Sequence, residues 1–281
     1  MVRSLCRVAL LALCVSAWCV DAAPARVLFP ANLHLTRQVQ DPLSGKTVII
    51  DEYCSGNRVV SISGDKTVIA DYDKQQLTEI NRREGTYSIS RFDEVATVTA
   101  GESPDTSTSK AIGSEGVKRD RWTATPRGMR GAAGRSVEHF EFAENGEAKR
   151  KVEVGIDRSV VLSEEAVEVL IGAAYPNPRR EEHEPLLRAA GIRDASRIAT
   201  DSASDTPGDA AYGLPVTQAF TYSDSGSEVT FRTTITRIGT EGPPAELMII
   251  PPAATRVEST AAAVRRQLRE LDQPATSTPQ Q

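Results

Sequence analysis

Cysteine is scarce where it would matter. Of the four cysteines, Cys6, Cys14 and Cys19 fall in the first 20 residues, which leaves Cys54 as the single thiol beyond them. Once those first residues are removed, no internal disulfide framework can form. Nothing near Cys54 in sequence would lower its pKa. A small buried apolar role is therefore favoured over a nucleophile, with an intermolecular disulfide as the functional alternative. Aromatic residues make up only 5% of the chain, and Trp122 is the only tryptophan beyond residue 20. That disfavours a platform that stacks sugars on exposed rings. An excess of positive charge is also missing. Without Arg3, Arg7 and Asp21 the chain keeps 31 basic and 37 acidic residues, near −6, which argues against nucleic acid or another polyphosphate as partner.

Long apolar runs are confined to the start. Arg3 and Arg7 precede a thirteen-residue stretch, Val8 to Val20, apolar but for Ser16, and small residues follow at Ala22, Ala23 and Ala25. This order predicts a secretory signal peptide over 1–25, cleaved near Ala22, Ala23 and Ala25. The apolar stretch is shorter than the roughly 20 residues a bilayer-spanning helix needs. Leu13 and Trp18, ahead of Cys14 and Cys19, are too large for a lipoprotein processing site. The expected product is soluble and exported, periplasmic or secreted, with at most peripheral membrane contact.

Chemistry-bearing residues are few. The three histidines leave few places for a general base. Ser136 and His139 could serve as nucleophile and base, but an offset of three in a strand puts them on opposite faces. No G-x-S-x-G elbow occurs. His183 lies in "REEHEPLL", where a zincin would need a second His four residues on, and Leu187 stands there. Asp71 and Asp73 beside Lys74 read as turn capping and a surface ion pair rather than paired catalytic carboxylates. Lys118 to Arg135 holds six basic residues around Trp122 with Gly128, Gly131 and Gly134. Its glycine spacing fits neither the dinucleotide nor the phosphate-loop fingerprint, so a rim meeting anionic headgroups is the most it implies. No catalytic residue, metal ligand or cofactor is assigned, and no enzyme activity is expected.

What is present is turn chemistry. From Leu33 to Ile89, Asp41-Pro42 with Gly45, Gly56-Asn57, Gly64-Asp65, Asp73-Lys74 and Gly85 punctuate runs at Thr47 to Tyr53, Arg58 to Ile62, Thr67 to Tyr72, Leu77 to Ile80 and Thr86 to Ile89. Turns every 8 to 12 residues or so with no helical period predict an antiparallel meander. Only Leu77 to Ile80 breaks the alternation. Residues 98–120 are rich in Ser, Thr, Gly and charge and are expected to form a disordered loop. Further strands are predicted at Ser136 to Phe142, Lys151 to Ile156, Val216 to Tyr222, Glu228 to Ile238 and Glu246 to Ile250. Between the blocks, 163–192 has a helical period. Ser163 is its N-cap, Val167, Leu170, Ile171 and Ala174 form its apolar stripe, and a second helix runs from Glu181 to Ala190 with Gly191 as its stop. Ser259 can cap a helix within 258–272 whose stripe is Val264, Leu268 and Leu271. Packing of that stripe on the sheet is favoured over a membrane, because each buried side chain contributes about 1.5–3 kcal/mol. The tail, 273–281, reads as disordered.

The stretch "GNRVVSISGDKTVIADYDKQQLTEINRREGTYSI" resembles exported bacterial domains of the lipoprotein-carrier superfamily, LolA-like and LolB-like. The resemblance lies in Gly56-Asn57-Arg58, Asp71 with Lys74, and Thr86-Tyr87. Downstream, "AGRSVEHFEF" and "GLPVTQAFTY…EVTFRTTITRI…MIIPPAATRV" are similar to the closing strands of such domains. The likeness spans most of 28–257, interrupted by the loop at 98–120 and the helical insertion at 163–192. It implies an α+β fold, mainly β: a curved antiparallel half-barrel covered by helices, binding an acyl chain or other apolar ligand. An acyl chain of about 16 carbons loses on the order of 12 kcal/mol when left in water, so transport through an aqueous compartment needs a greasy shell. The alternative from another class is an envelope sensor or scaffold that binds a protein partner through the same sheet.

Overall fold

The backbone reverses where glycine permits left-handed geometry. Gly56, at φ 59°, and Gly64, at φ 56°, close two successive hairpins, and Gln75, a non-glycine at φ 52°, makes the next. A computed structural model describes residues 27–42, 44–100, 122–145, 149–172, 180–191, 211–224 and 227–272. The signal segment 1–25 with Ala22, Ala23 and Ala25, all but the first three residues of the 98–120 loop, and the tail 273–281 lie outside the described residues.

The strands are β1 (Phe29–Gln40), β2 (Thr47–Gly56), β3 (Arg58–Ser63), β4 (Lys66–Asp71), β5 (Gln76–Asn81), β6 (Thr86–Arg91), β7 (Trp122–Ala132), β8 (Arg135–Glu144), β9 (Lys149–Leu162), β10 (Tyr212–Asp224), β11 (Ser227–Gly239) and β12 (Thr255–Arg256). The helices are α1 (Phe92–Ala100), α2 (Glu164–Ile171), α3 (Arg180–Gly191) and α4 (Thr260–Asp272). All 12 strands form one curved, unclosed sheet in the order β12-β6-β5-β4-β3-β2-β1-β11-β10-β9-β8-β7. Every pairing is antiparallel except β12 with β6. The two strand blocks meet where β1 pairs with β11, with a register shift at Thr36/Arg37.

The turn residues of the resemblance lock this meander. Arg58 lies opposite Asp71 and its Nη2 is 2.8 Å from the Asp71 carboxylate, while the Lys74 N–H donates to Asp71 Oδ1 at 3.1 Å. Asn57 Nδ2 donates to Asp73 at 2.7 Å, and Asn57 Oδ1 accepts from the Leu28 N–H. Asp71 and Asp73 therefore hold turns, as their spacing beside Lys74 indicates. Burial raises the Asp71 carboxyl, but the Lys74 N–H, the Arg58 hydrogen bond and both cations outweigh it, so it titrates below its ordinary 3.8. A depressed folded pKa stabilises fully above the unfolded value and is lost as pH falls through the folded one. Asp71→Asn should thus cost about 1–2 kcal/mol at pH 7 and flatten the stability loss below pH 4 or so. Melting curves followed by circular dichroism from pH 7 to pH 2 check both. An unchanged acid limb would contradict the assignment.

β3, β4 and β5 carry buried residues on both faces, which explains the broken alternation of Leu77 to Ile80. Leu77 lies between Ala70 and Ser90 on the helix-bearing face, while Ile80 lies between Thr67 and Tyr87 on the other. Against that other face Met248 and Ile250 pack on Val60, Ile69 and Ile80. The strand predicted at Glu246 to Ile250 is instead a 3-10 turn, Ala245–Leu247, within a strap that crosses the sheet. Pro243-Pro244 and Pro251-Pro252 flank it and cannot donate to a ladder, so its apolar side chains pack without its backbone pairing. His34 anchors the strap: Nδ1 faces Glu241 at 3.3 Å, Nε2 faces Asp51 at 3.4 Å, and the ring stacks on Tyr53 at 4.1 Å.

Two arginines from the sheet fix α2 and α3 by their last carbonyls. Arg37 Nη2 donates to Leu170 O at 3.1 Å. Arg158 donates to Ala189 O at 2.7 Å and to Ala190 O. Each satisfies a carbonyl that a helix end leaves unpaired, and each places a cation at the negative end of the helix dipole. Ser163 caps α2 as expected, accepting from the Ala166 N–H at 3.2 Å, and Ser259 caps α4 by accepting from the Ala262 N–H. The sequence reading had left β1, Phe29–Gln40, unassigned ahead of its first expected run, and two further elements lay where it expected none. Phe92–Ala100 is helical, so the expected loop loses its first three residues, and Trp122–Ala132 is a strand where the basic composition had obscured it.

Candidate functional site

The helix-bearing face is built row by row from the register. One row crosses Val48, Val39, Thr233, Gln218, Val154 and Phe140. The next crosses Phe231, Phe220, Val152, Phe142 and Ala124. Phe140, Phe142, Val152 and Val154 are sealed in a cluster with Val167 of α2 and Leu186, Ala189 and Ala190 of α3. Along the same rows toward β11 and β2 the surface opens: Phe220 is half-buried, Phe231 is 49% exposed and Val48 is 43% exposed. The face thus runs from closed core to solvent, apolar along the Phe231 row and interrupted by Thr233 and Gln218 in the row beside it.

Where the closed and open parts meet lies a shallow surface depression lined by Trp122, Arg150, Val152, Phe220 and Tyr222 among others. The Arg150 guanidinium sits 6.0 Å from the Tyr222 ring centroid, and Tyr222 meets Phe231 edge-on at 6.0 Å. Arg150 Nε also faces Glu144 Oε2 at 3.4 Å. Trp122 is 4% exposed, and its indole N–H has no acceptor among the described residues. A deeper polar feature lies on the same face. Arg37 Nε and Nη2 donate to Glu52 Oε2 at 3.1 and 2.7 Å, while Glu52 Oε1 and the facing Ser61 hydroxyl have no partner among the described residues.

The residues that the sequence raised and set aside are not brought together into a catalytic set. Ser136 is exposed and His139 half-buried, on opposite sides of the sheet, since neighbours in a strand alternate. The His139 ring lies against Gly155, where an added Cβ would come within 2.9 Å of it. Burial, with help from Arg130, pushes this imidazole below its ordinary pKa. His183 is half-buried on α3, and among the described residues no group of three or more His, Cys, Asp or Glu could hold a metal ion. Cys54 is buried, and burial pushes its thiol well above the usual range, so it packs as an apolar residue. The basic stretch after Arg121 is β7, an edge strand of the sheet, with Arg127 paired to Glu141 at 2.8 Å. The Leu268 and Leu271 side chains lie outside the described ones, while Val264 is half-buried.

None of the pocket residues was singled out as a site from sequence. They come from β7, β9 and β10, and only Trp122, as the lone tryptophan beyond residue 20, offered a signal.

No protein-family profile matches the chain, and no curated protein matches it in sequence. Solved structures similar to it include an uncharacterized conserved protein from Thermus thermophilus, at 8% identity and TM-score 0.40 over 82% of this chain and 92% of that one. The MucA/MucB complex of Pseudomonas aeruginosa gives 8% identity and TM-score 0.38 over 80% of this chain and 58% of its own. An outer membrane lipoprotein-sorting protein domain from Vibrio parahaemolyticus gives 9% identity and TM-score 0.30 over 77% and 88%. The chain is thus similar in structure, though in no sequence comparison, to a lipoprotein-sorting domain and to MucB.

Proposed function

We propose that this chain is an exported, non-enzymatic binding protein that holds an acyl chain or another apolar ligand on the helix-bearing face of its sheet. The observation that carries the reading is the apolar surface of Phe220, Tyr222 and Phe231, partly open while its continuation under α2 and α3 is sealed, with Val39 and Val48 beyond Thr233 on the same face. Ligand carbons laid along that face gain roughly 25 cal/mol for each Å² removed from water. The helices of 163–192 serve as a lid, held at their ends by Arg37 and Arg158. The working domain is 28–257, the segment 1–25 is removed on export with cleavage near Ala22 to Ala25, and 258–272 is a terminal helix. No described helix is long and apolar enough to cross a membrane.

A second reading is favoured by a different observation. β7 is the outer strand of the sheet, and Arg127, Met129 and Arg130 on it are exposed, so a partner protein could add a strand there by backbone pairing. Native mass spectrometry of protein purified from the cell envelope separates the two. The carrier reading expects a bound mass in the lipid range, lost on denaturation and absent in Phe231→Glu. A bare native mass together with a stable protein partner in pull-down would replace it with the scaffold reading.

A further inference from the structure

We infer that one end of the sheet is an apolar ridge that rests on the surface of a lipid bilayer. Among the described residues three exposed apolar side chains, Val48 at 43%, Ile49 at 45% and Phe231 at 49%, belong to β2 and β11, the two neighbours of β1. The register sets them at one end. Val48 pairs with Val39 and Ile49 with Gln38, just short of the turn from β1 into β2, and Phe231 lies one position past the last β1–β11 pair, Gln40 with Arg232. Half-buried Val39 stands in the row between the two strands.

The kind of partner follows from the two faces. Val48 and Phe231 belong to the helix-bearing face, whereas Ile49, next to Val48 in its strand, projects from the opposite one. A ligand held on the helix-bearing face would meet Val48 and Phe231 and miss Ile49. A ridge that is apolar on both sides suits a medium into which it can sink, and the interfacial layer of a bilayer is one. Because it needs Ile49, the inference goes beyond the ligand reading and does not depend on it. A second copy of the chain fits less well. A half-exposed Phe presents about 100 Å², given the 150–250 Å² such a side chain buries. With one Val and one Ile added, the ridge stays far below the roughly 800 Å² that each partner gives to a stable protein interface.

Charge selects the type of surface. Exposed Lys46 and Arg232 flank the ridge, and exposed Glu228 with half-buried Asp41 balances them. No net pull toward anionic headgroups results, so apolar insertion sets the contact and salt changes it little. Three partly exposed side chains offer less carbon than a myristoyl chain, which by itself binds membranes only marginally and reversibly. The contact is therefore one that is readily made and broken.

Tryptophan emission of Phe231→Trp, Ile49→Trp and a control, Met129→Trp, tests this with phosphatidylcholine vesicles at millimolar lipid. Met129 is 61% exposed but lies on β7, away from the ridge, and Trp122, 4% exposed, supplies a constant background. All three substituted positions are exposed, so the core stays intact. Emission should shift to the blue at positions 231 and 49 and stay fixed at 129. Ile49→Ser should lower the fraction of protein that floats with the vesicles several-fold, and a tenfold rise in salt should leave that fraction unchanged. A shift at 231 alone would mean that single lipid molecules enter the helix-bearing face, and it overturns the ridge. So does a shift at neither position, or an equal one at 129. A shift without vesicles that grows with protein concentration assigns the ridge to a second copy instead. Binding that requires anionic lipid and vanishes in high salt replaces apolar insertion with charge attraction.

Discussion

Arg37→Met is expected to lower the melting temperature by about 10 °C. The Arg37 and Glu52 side chains are 3% and 1% exposed, and the guanidinium also holds the C-terminal end of α2 through Leu170 O. Removing the cation leaves Glu52 charged and unpaired in the core, which costs about 3–5 kcal/mol. For a domain of 150–250 residues each kcal/mol moves the midpoint by about 2–4 °C. The double variant Arg37→Met with Glu52→Leu should recover most of the loss, because it removes the stranded charge, and Glu52 Oε1 has no partner among the described residues even in the native arrangement. A single variant within a couple of degrees of wild type would show that the pair is hydrated in solution. A double variant as unstable as the single one would instead assign the loss to the tether on α2.

Phe140→Ala should be comparably damaging, at about 3–5 kcal/mol, while Phe231→Ala should cost less than about 1 kcal/mol. The two phenylalanines face the same side of one sheet in adjacent rows. Phe140 is 1% exposed, sits beneath α3 and has the Arg158 guanidinium 5.8 Å from its ring, whereas Phe231 is 49% exposed. Chemical denaturation of both variants measures the contrast between the sealed and open parts of the face. Equal losses would mean that Phe231 is covered in solution, and the binding surface proposed for it would go.

The legible features were those whose causes lie within a few residues. The hairpins at Gly56 and Gly64, the caps at Ser163 and Ser259, and the alternation in Lys151 to Ile156 each follow from local backbone or hydrogen-bond chemistry. The strap at 245–250 misled because Met248, Ile249 and Ile250 look like a strand and are apolar for another reason: they cover the far face of β3–β5. β7 was missed because an edge strand has only one neighbour, and its exposed Arg127, Met129 and Arg130 show no buried side.

The sequence by itself determined where the chain turns, which residues cap its helices, and that only three histidines are present. Only the tertiary structure decided that β1 pairs with β11 across some 200 residues, that Arg37 reaches Leu170, and that Trp122, Arg150 and Phe220 share one pocket. The reason is physical. A turn or a cap is settled by neighbours in the chain, but pairing between distant strands depends on which faces bury best together, and no short stretch encodes that.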